Sequence, residues 1–162
     1  MPDGSNLTLT RDLLDFSGSL ERVAQAQPNA KAILAPGRRP LSFAGLIRQM
    51  TDVRETLNSW GIGREDRVAV ILTDGPEATV AFLGVTSGAI YIALNPAYTH
   101  GEFEAYLTLL RPKAIIVSAA EETPAREVAE NLGIPTIELV VEEGDPAGHF
   151  VLTGGSHSFC SL

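Results

Sequence analysis

Cysteine is almost absent from this sequence: Cys160 stands alone among 162 residues. No intrachain disulfide can staple the fold, which fits a reducing compartment. Basic residues are also scarce, with 12 Lys and Arg against 20 Asp and Glu and a formal charge of −8. So acidic a chain has no electrostatic footprint for nucleic acid, nor for an anionic membrane as its main partner. The opening MPDGSNLTLTRDLLDFSGS lacks the basic and apolar regions of a secretory signal. A cytoplasmic location is the expectation. Long apolar runs are missing, with one exception. No charged residue occurs from Ala78 to Thr99, a stretch long enough to span a membrane. Gly84, Gly88, Asn95 and Pro96 interrupt it, and its pattern turns from helix-like to strand-like near Ala89. A buried helix followed by a buried strand accounts for it, so no transmembrane segment is expected. The Gly84/Gly88 spacing then lets that helix lie close on a sheet.

What remains is a globular composition, 44% hydrophobic and 20% charged, at the length of one ordinary domain. Residues 1–150 read as a single α/β domain and 151–162 as an irregular tail. Leu20, Val23 and Ala24 mark a first amphipathic helix ended by Pro28, followed by a short strand at Ala32–Ala35 and a turn at PGRRP. Ser42 is placed to cap a helix whose Phe43, Leu46, Ile47, Met50, Val53, Leu57 and Trp60 keep helical spacing, with Gly61 just past its end. Arg67–Leu72 is an apolar strand. Pro76 suits the first position of the next helix, with Glu77 near its positive end. Ile90–Leu94 is a strand. Thr99 and Glu102 have capping-box spacing, and Phe103, Tyr106, Leu107 and Leu110 form one stripe. Arg111-Pro112 stops that helix, because proline disfavours helical backbone before it. Lys113–Val117 is a strand. Ala125, Val128, Ala129 and Leu132 line a helix ended by Gly133, and TIELVV from Thr136 is the last clear strand. Alternating helices and two-sided apolar strands predict a parallel sheet with helices on both faces.

Chemistry is harder to find. Ligands bind such sheets at the loops leaving the strand C-termini. One such loop is Thr73–Glu77, where a helix N-terminus could receive an anion. It lacks the G-x-G-x-x-G pattern, and Asp74 and Glu77 would repel phosphate, so helix capping is the plainer reading. In Asn95–Thr99, Asn95 and Tyr98 could face a ligand, yet Asn95-Pro96 suits a turn and Tyr98 suits packing. His100, His149 and His157 share no metal-ligand spacing with one another or with Cys160. Ser156-His157-Ser158 has no assignable acid. Thr153–Ser156 is a glycine-rich turn without the lysine a P-loop needs. The acids of EETPAREVAE read as a solvated helix face, and Arg38-Arg39 as surface charge in a turn. No residue is assigned as catalytic, cofactor-binding or metal-ligating.

The order of these pieces resembles the N-terminal part of the AMP-forming acyl-CoA synthetases, the adenylate-forming superfamily. Ser42-Phe43-Ala44-Gly45-Leu46 resembles that family's LSYAEL-like helix start. Gly61–Val70 resembles its GxGDRVAV strand, and Gly75-Pro76-Glu77 its NGPEF helix start. Gly88–Tyr98 and Glu102–Ile115 resemble its GAVxxPLNPxY and ExxYxLxDSxAKxxI stretches. The likeness covers residues 15–150, and ALNPAYTHGEFEAYL is nearest to fatty-acid and oxalate-type CoA ligases. The resemblance implies an enzyme several times longer. It would activate a carboxylate with Mg-ATP to an acyl-adenylate, then transfer the acyl group to coenzyme A. The family's phosphate loop, nucleotide motifs and catalytic lysine fall beyond Leu162, so none of its catalytic residues carries over. GGSHSFCSL departs from the family's approach to that loop and reads as a foreign, alternative or frameshifted end. The first expectation is thus an N-terminal fragment of an acid–CoA ligase, inactive alone, whose partner is the remainder of the synthetase. The second is a self-standing binding or regulatory module that pairs with a full-length synthetase or holds a nucleotide or flavin. Either way, a sheet this short should leave an apolar patch and a free strand edge open to self-association.

Overall fold

The computed structural model describes residues 16–154. Its elements follow the expected alternation. Helix α1 (Phe16–Ala26) leads to a short antiparallel pair, β1 (Lys31–Ile33) and β2 (Leu41–Ser42). Then come α2 (Phe43–Ser59), β3 (Arg67–Ile71), α3 (Pro76–Thr86) and β4 (Ile90–Ala93). The chain continues with α4 (His100–Leu110), β5 (Ala114–Ser118), α5 (Ala125–Asn131), β6 (Thr136–Val140) and β7 (Val151–Gly154). The main sheet has the order β4-β3-β5-β6-β7. Its first four strands are parallel, and β7 returns antiparallel to β6, with Val140 opposite Val151 and Ile137 opposite Gly154.

Alternate residues of the central strands feed two cores. Val68 and Val70 of β3 and Ala114 and Ile116 of β5 pack with Leu46, Met50, Val53 and Leu57 of α2 and Val80 and Val85 of α3. Ala69 and Ile71, with Ile115 and Val117, pack on the other face against Phe103 and Leu107 of α4 and Ala125, Val128 and Ala129 of α5. This is why these strands are apolar on both sides: each residue has a helix above or below it. Strand β6 is different. Ile137 and Leu139 are buried, while Glu138 between them pairs with Arg126 at 2.5 Å.

The helix ends follow local rules. Ser42 Oγ accepts from the Gly45 N–H at α2. The Gly61 N–H donates to Asn58 O and the Ile62 N–H to Leu57 O, with Gly61 at φ +74°. Gly133 and Ile134 close α5 in the same way, donating to Glu130 O and Ala129 O. Both are Schellman closures, in which glycine takes the left-handed backbone at low cost.

Four expectations are corrected. The first strand begins one residue earlier and ends at Ile33, and Leu41–Ser42 pairs with it, too short to carry a period of its own. Leu132 is exposed, because α5 ends before it. The Arg111-Pro112 stop holds: α4 ends at Leu110, and Arg111 caps it in left-handed backbone at φ +46°. Gly84 and Gly88 fit a helix against a helix, not against a sheet: a Cβ would lie 2.9 Å from Val53 Cβ at Gly84 and 2.8 Å from Arg54 Cγ at Gly88. Finally, 151–162 is not irregular from its start, since Val151–Gly154 is a sheet strand with Leu152 in the core. A four-residue strand ending in glycine leaves almost no periodic trace. Residues 155–162 lie outside the described residues.

Candidate functional site

The topology points to one crevice. The chain leaves β3 through α3 on one face toward β4, and leaves β5 through α5 on the other face toward β6. The two exits diverge between neighbouring strands, and such a switch point opens a cleft outside the strand C-termini. Its walls are Leu72–Gly75 after β3 and Ala119–Thr123 after β5, with Leu94–Thr99 beyond. Thr73 Oγ1 donates to Glu121 Oε2 at 2.8 Å and ties the two exit loops together. Arg126 backs the second loop, donating from Nη2 to Ser118 O at 2.7 Å while Nη1 holds Glu138.

The Asn95–Thr99 loop is built from its own residues. Asn95 Oδ1 accepts from the Ala97 N–H at 2.9 Å, an Asx turn. Tyr98 stacks on Tyr106 with centroids 5.0 Å apart and meets Phe103 edge-on at 5.7 Å. Its hydrogen bond with Tyr106 raises the Tyr98 pKa above the usual phenol value, with partial desolvation adding to it. Thr99 and Glu102 form the capping box: the Thr99 N–H donates to Glu102 Oε2 at 2.8 Å and the Glu102 N–H to Thr99 Oγ1 at 3.4 Å. These bonds hold the Glu102 carboxyl below its usual pKa, the Thr99 backbone N–H contributing most.

The Thr73–Glu77 loop departs from plain capping. Gly75 is the N-cap and no side chain caps α3. Glu77 turns aside instead. Its Oε1 lies 2.5 Å from Arg38 Nη1 and also accepts the Gly148 N–H at 3.1 Å. Arg38 Nη2 donates to Pro146 O at 2.9 Å, and Arg39 Nη2 to Gly144 O at 2.7 Å. Arg38 is therefore not the free surface charge the sequence suggested. Its side chain is 28% exposed and that of Glu77 19%, and together they clamp the segment from Gly144 to Phe150 over the start of α3. Gln49, 4% exposed, holds the far end of the segment, its Nε2 donating to Phe150 O at 2.7 Å. Its spacing from Leu46 and Val53 put a polar residue on a buried helix face, a signal the sequence did carry. Asp145 accepts from the Glu142 N–H at 3.0 Å, the main cause of its lowered pKa, with His149 Nδ1 3.1 Å away as a further one.

The electrostatics of the crevice decide what it can hold. Asp74, Glu121 and Glu122 are exposed at its mouth. The two arginines nearest it, Arg38 and Arg126, are committed to Glu77 and Glu138 and to backbone carbonyls. Among the described residues it thus has no cation free to neutralise phosphate, and the residues present do not fit a triphosphate or a phosphate-rich coenzyme. No group of three His, Cys, Asp or Glu among the described residues could hold a metal ion. His100 opens α4 and His149 faces Asp145. Thr153 and Gly154 end β7, while Gly155, Ser156, His157, Ser158 and Cys160 lie outside the described residues. A concavity of about 790 Å³ lies elsewhere, along the exposed outer side of α4 between Gly101 and Arg111, with Arg67. Every residue lining it is exposed, and it does not adjoin the switch point. No helix among the described residues is long and apolar enough to cross a membrane.

Comparison with known proteins gives a single answer. The profile of the AMP-binding enzyme family matches residues 20–155. An oxalate–CoA ligase of Arabidopsis thaliana is 35% identical over 121 residues, which is 74% of this chain and 24% of that protein. The crystal structure of ATP-bound MatB from Rhodopseudomonas palustris superposes with a TM-score of 0.67 at 24% identity, over 81% of this chain and 26% of that one. A benzoate CoA ligase from Burkholderia xenovorans LB400 also reaches 0.67, at 19% identity, over 88% of this chain and 30% of its own. At those identities the two structures establish the shared fold. The chain spans about a quarter of the length of the curated CoA ligase it matches.

Proposed function

The chain belongs to the AMP-binding enzyme family, the adenylate-forming CoA ligases, and on that premise we propose that it is an N-terminal portion of an acid–CoA ligase that cannot catalyse adenylation by itself. In this reading the longer protein joins a carboxylic acid to coenzyme A at the expense of Mg-ATP. The present residues supply part of the scaffold on which that chemistry is assembled. The observation that carries the reading is the charge of the switch-point crevice. Adenylyl transfer depends on fixed positive charge around the phosphates, whereas this crevice presents Asp74, Glu121 and Glu122 and keeps Arg38 and Arg126 occupied. The cations must then come from the rest of the ligase. In the same reading that remainder is the natural partner, covering faces that this portion leaves open, and the whole protein works in the cytoplasm.

The test is carboxylate-dependent exchange of labelled pyrophosphate into ATP by the 162-residue chain. Exchange no faster than in a protein-free control, restored when the remaining ligase sequence is joined to it, supports the reading. Exchange by the chain alone overturns it.

A further inference from the structure

The Gly144–Phe150 segment that Arg38 and Glu77 clamp over α3 also runs beside α2, and a cleft lies between the two. It has two lobes, one of about 310 Å³ toward the start of α2 and one of about 180 Å³ toward β7. Gln49, Asp52 and His149 line both. Gln49 is 4% exposed. Its Nε2 donates to Phe150 O at 2.7 Å, which fixes the amide and leaves Oε1 as the atom free to face the cleft. That oxygen accepts from no described residue, and a buried acceptor without a donor is costly. His149 forms the opposite wall, with its Nδ1 turned away to Asp145 Oδ2 at 3.1 Å.

Two charges stand unspent along the α2 side of the cleft. Arg48 lines the larger lobe and Asp52 lines both. They are four positions apart on the helix, yet no ion pair joins them to each other or to another described residue. With the base N-terminal to the acid, their order is the less favourable one for pairing. In the smaller lobe Val53, Phe150 and Leu152, all buried, make an apolar floor. We propose that this cleft binds a free α-amino acid with an apolar side chain, its ammonium held by Asp52 and Gln49 Oε1 and its carboxylate by Arg48. A simple cation would meet Arg48 and a simple anion would meet Asp52, whereas a zwitterion serves both. Residues four apart on a helix present their Cβ atoms about 5–6 Å apart, a span that suits the adjacent charges of one amino acid. A peptide carries those charges at opposite ends and cannot bridge the pair. Gln49 supplies the further acceptor that an ammonium needs when it leaves water. The side chain then lies on the apolar floor. The cleft shares no residue with the switch-point crevice, so the inference stands apart from the catalytic reading.

Titration of the 162-residue chain with L-leucine, followed by amide nuclear magnetic resonance spectra, tests it. Saturable shifts are expected in α2 from Arg48 to Thr56 and at residues 147–152. Isocaproate, which lacks the ammonium, and leucinamide, which lacks the carboxylate, are each expected to bind about tenfold more weakly or worse. Asp52→Asn and Arg48→Gln neutralise exposed side chains, and each is expected to lose about tenfold in affinity while the spectrum elsewhere stays that of the parent. Asp74→Asn, at the crevice, is expected to bind like the parent. The absence of a saturable shift, shifts centred outside α2 and the segment, equal binding of either analogue, an unchanged affinity in either cleft variant, or its loss in Asp74→Asn would each overturn the proposal.

Discussion

Two glutamates sit in the first turn of two crossover helices, and they do opposite things. Glu102 of α4 folds back on its own turn, taking the Thr99 N–H and hydroxyl at 2.8 and 2.7 Å. Glu77 of α3 ignores its own turn. It reaches Arg38, 39 positions earlier, and Gly148, 71 positions later. Helix start and dipole favour a carboxylate equally in both places. The difference lies in the residue that precedes each helix. Thr99 offers a side chain that completes a capping box, whereas Gly75 offers none. A glutamate without a local partner is free to serve a distant one. Here it becomes the hinge pin of a clamp that closes the Gly144–Phe150 segment over α3 and leads the chain into β7.

If that contrast is right, the clamp should be the more costly of the two to damage. The largest effect is expected at Gly148, which sits at φ +82° with a would-be Cβ 2.5 Å from Val80 Cγ2 and 3.2 Å from Pro76 O. Gly148→Ala combines left-handed strain with overpacking and should cost about 2–4 kcal/mol in chemical denaturation. An unchanged midpoint would mean that the segment is not held against α3. Next in size is the ion pair itself. A double-mutant cycle of Arg38→Ala and Glu77→Ala should return a coupling of about 1–2 kcal/mol, above the ~0.5 kcal/mol typical of exposed pairs. A coupling near zero would reduce the clamp to a surface contact.

The capping box should give the smallest effect and a distinctive pH signature. Thr99→Ala is expected to cost about 1 kcal/mol at neutral pH. Glu102→Gln should cost less, and its deficit should depend on acidity. The folded-state pKa of Glu102 lies below its unfolded value because Thr99 donates to the charged form. Its contribution is therefore present above an unfolded pKa of about 4.3 and fades as the pH falls through the lower folded value. Denaturation curves of the parent and Glu102→Gln should accordingly converge under acid. A deficit that is constant down to low pH would show that the carboxylate charge is irrelevant to the cap.

The same division runs through the whole chain. The capping box at Thr99–Glu102, the Ser42 cap and the Gly61 and Gly133 closures were all legible, as were the two-sided apolar strands that demanded helices on both faces. So was the family resemblance, which rests on short motifs in order. The candidate crevice was legible only as a position, the loops after β3, β4 and β5. Its chemistry was not, because the state of each charge there depends on remote partners: Arg38 on Glu77, Arg126 on Glu138, Thr73 on Glu121. Strand β7 and the buried role of Gly148 were missed for the same reason.

What the amino-acid order alone determined is whatever a residue settles with neighbours three or four positions away: helix starts, helix ends and the face each element turns inward. Those choices are made by hydrogen bonds and sterics within a single turn, whose geometry is the same in any fold. What only the tertiary structure decided is which charges are spent, and on which distant partners. A bond such as Glu77 to Gly148 exists only after the chain has closed a long loop, and its energy belongs to the path the whole chain takes rather than to either residue.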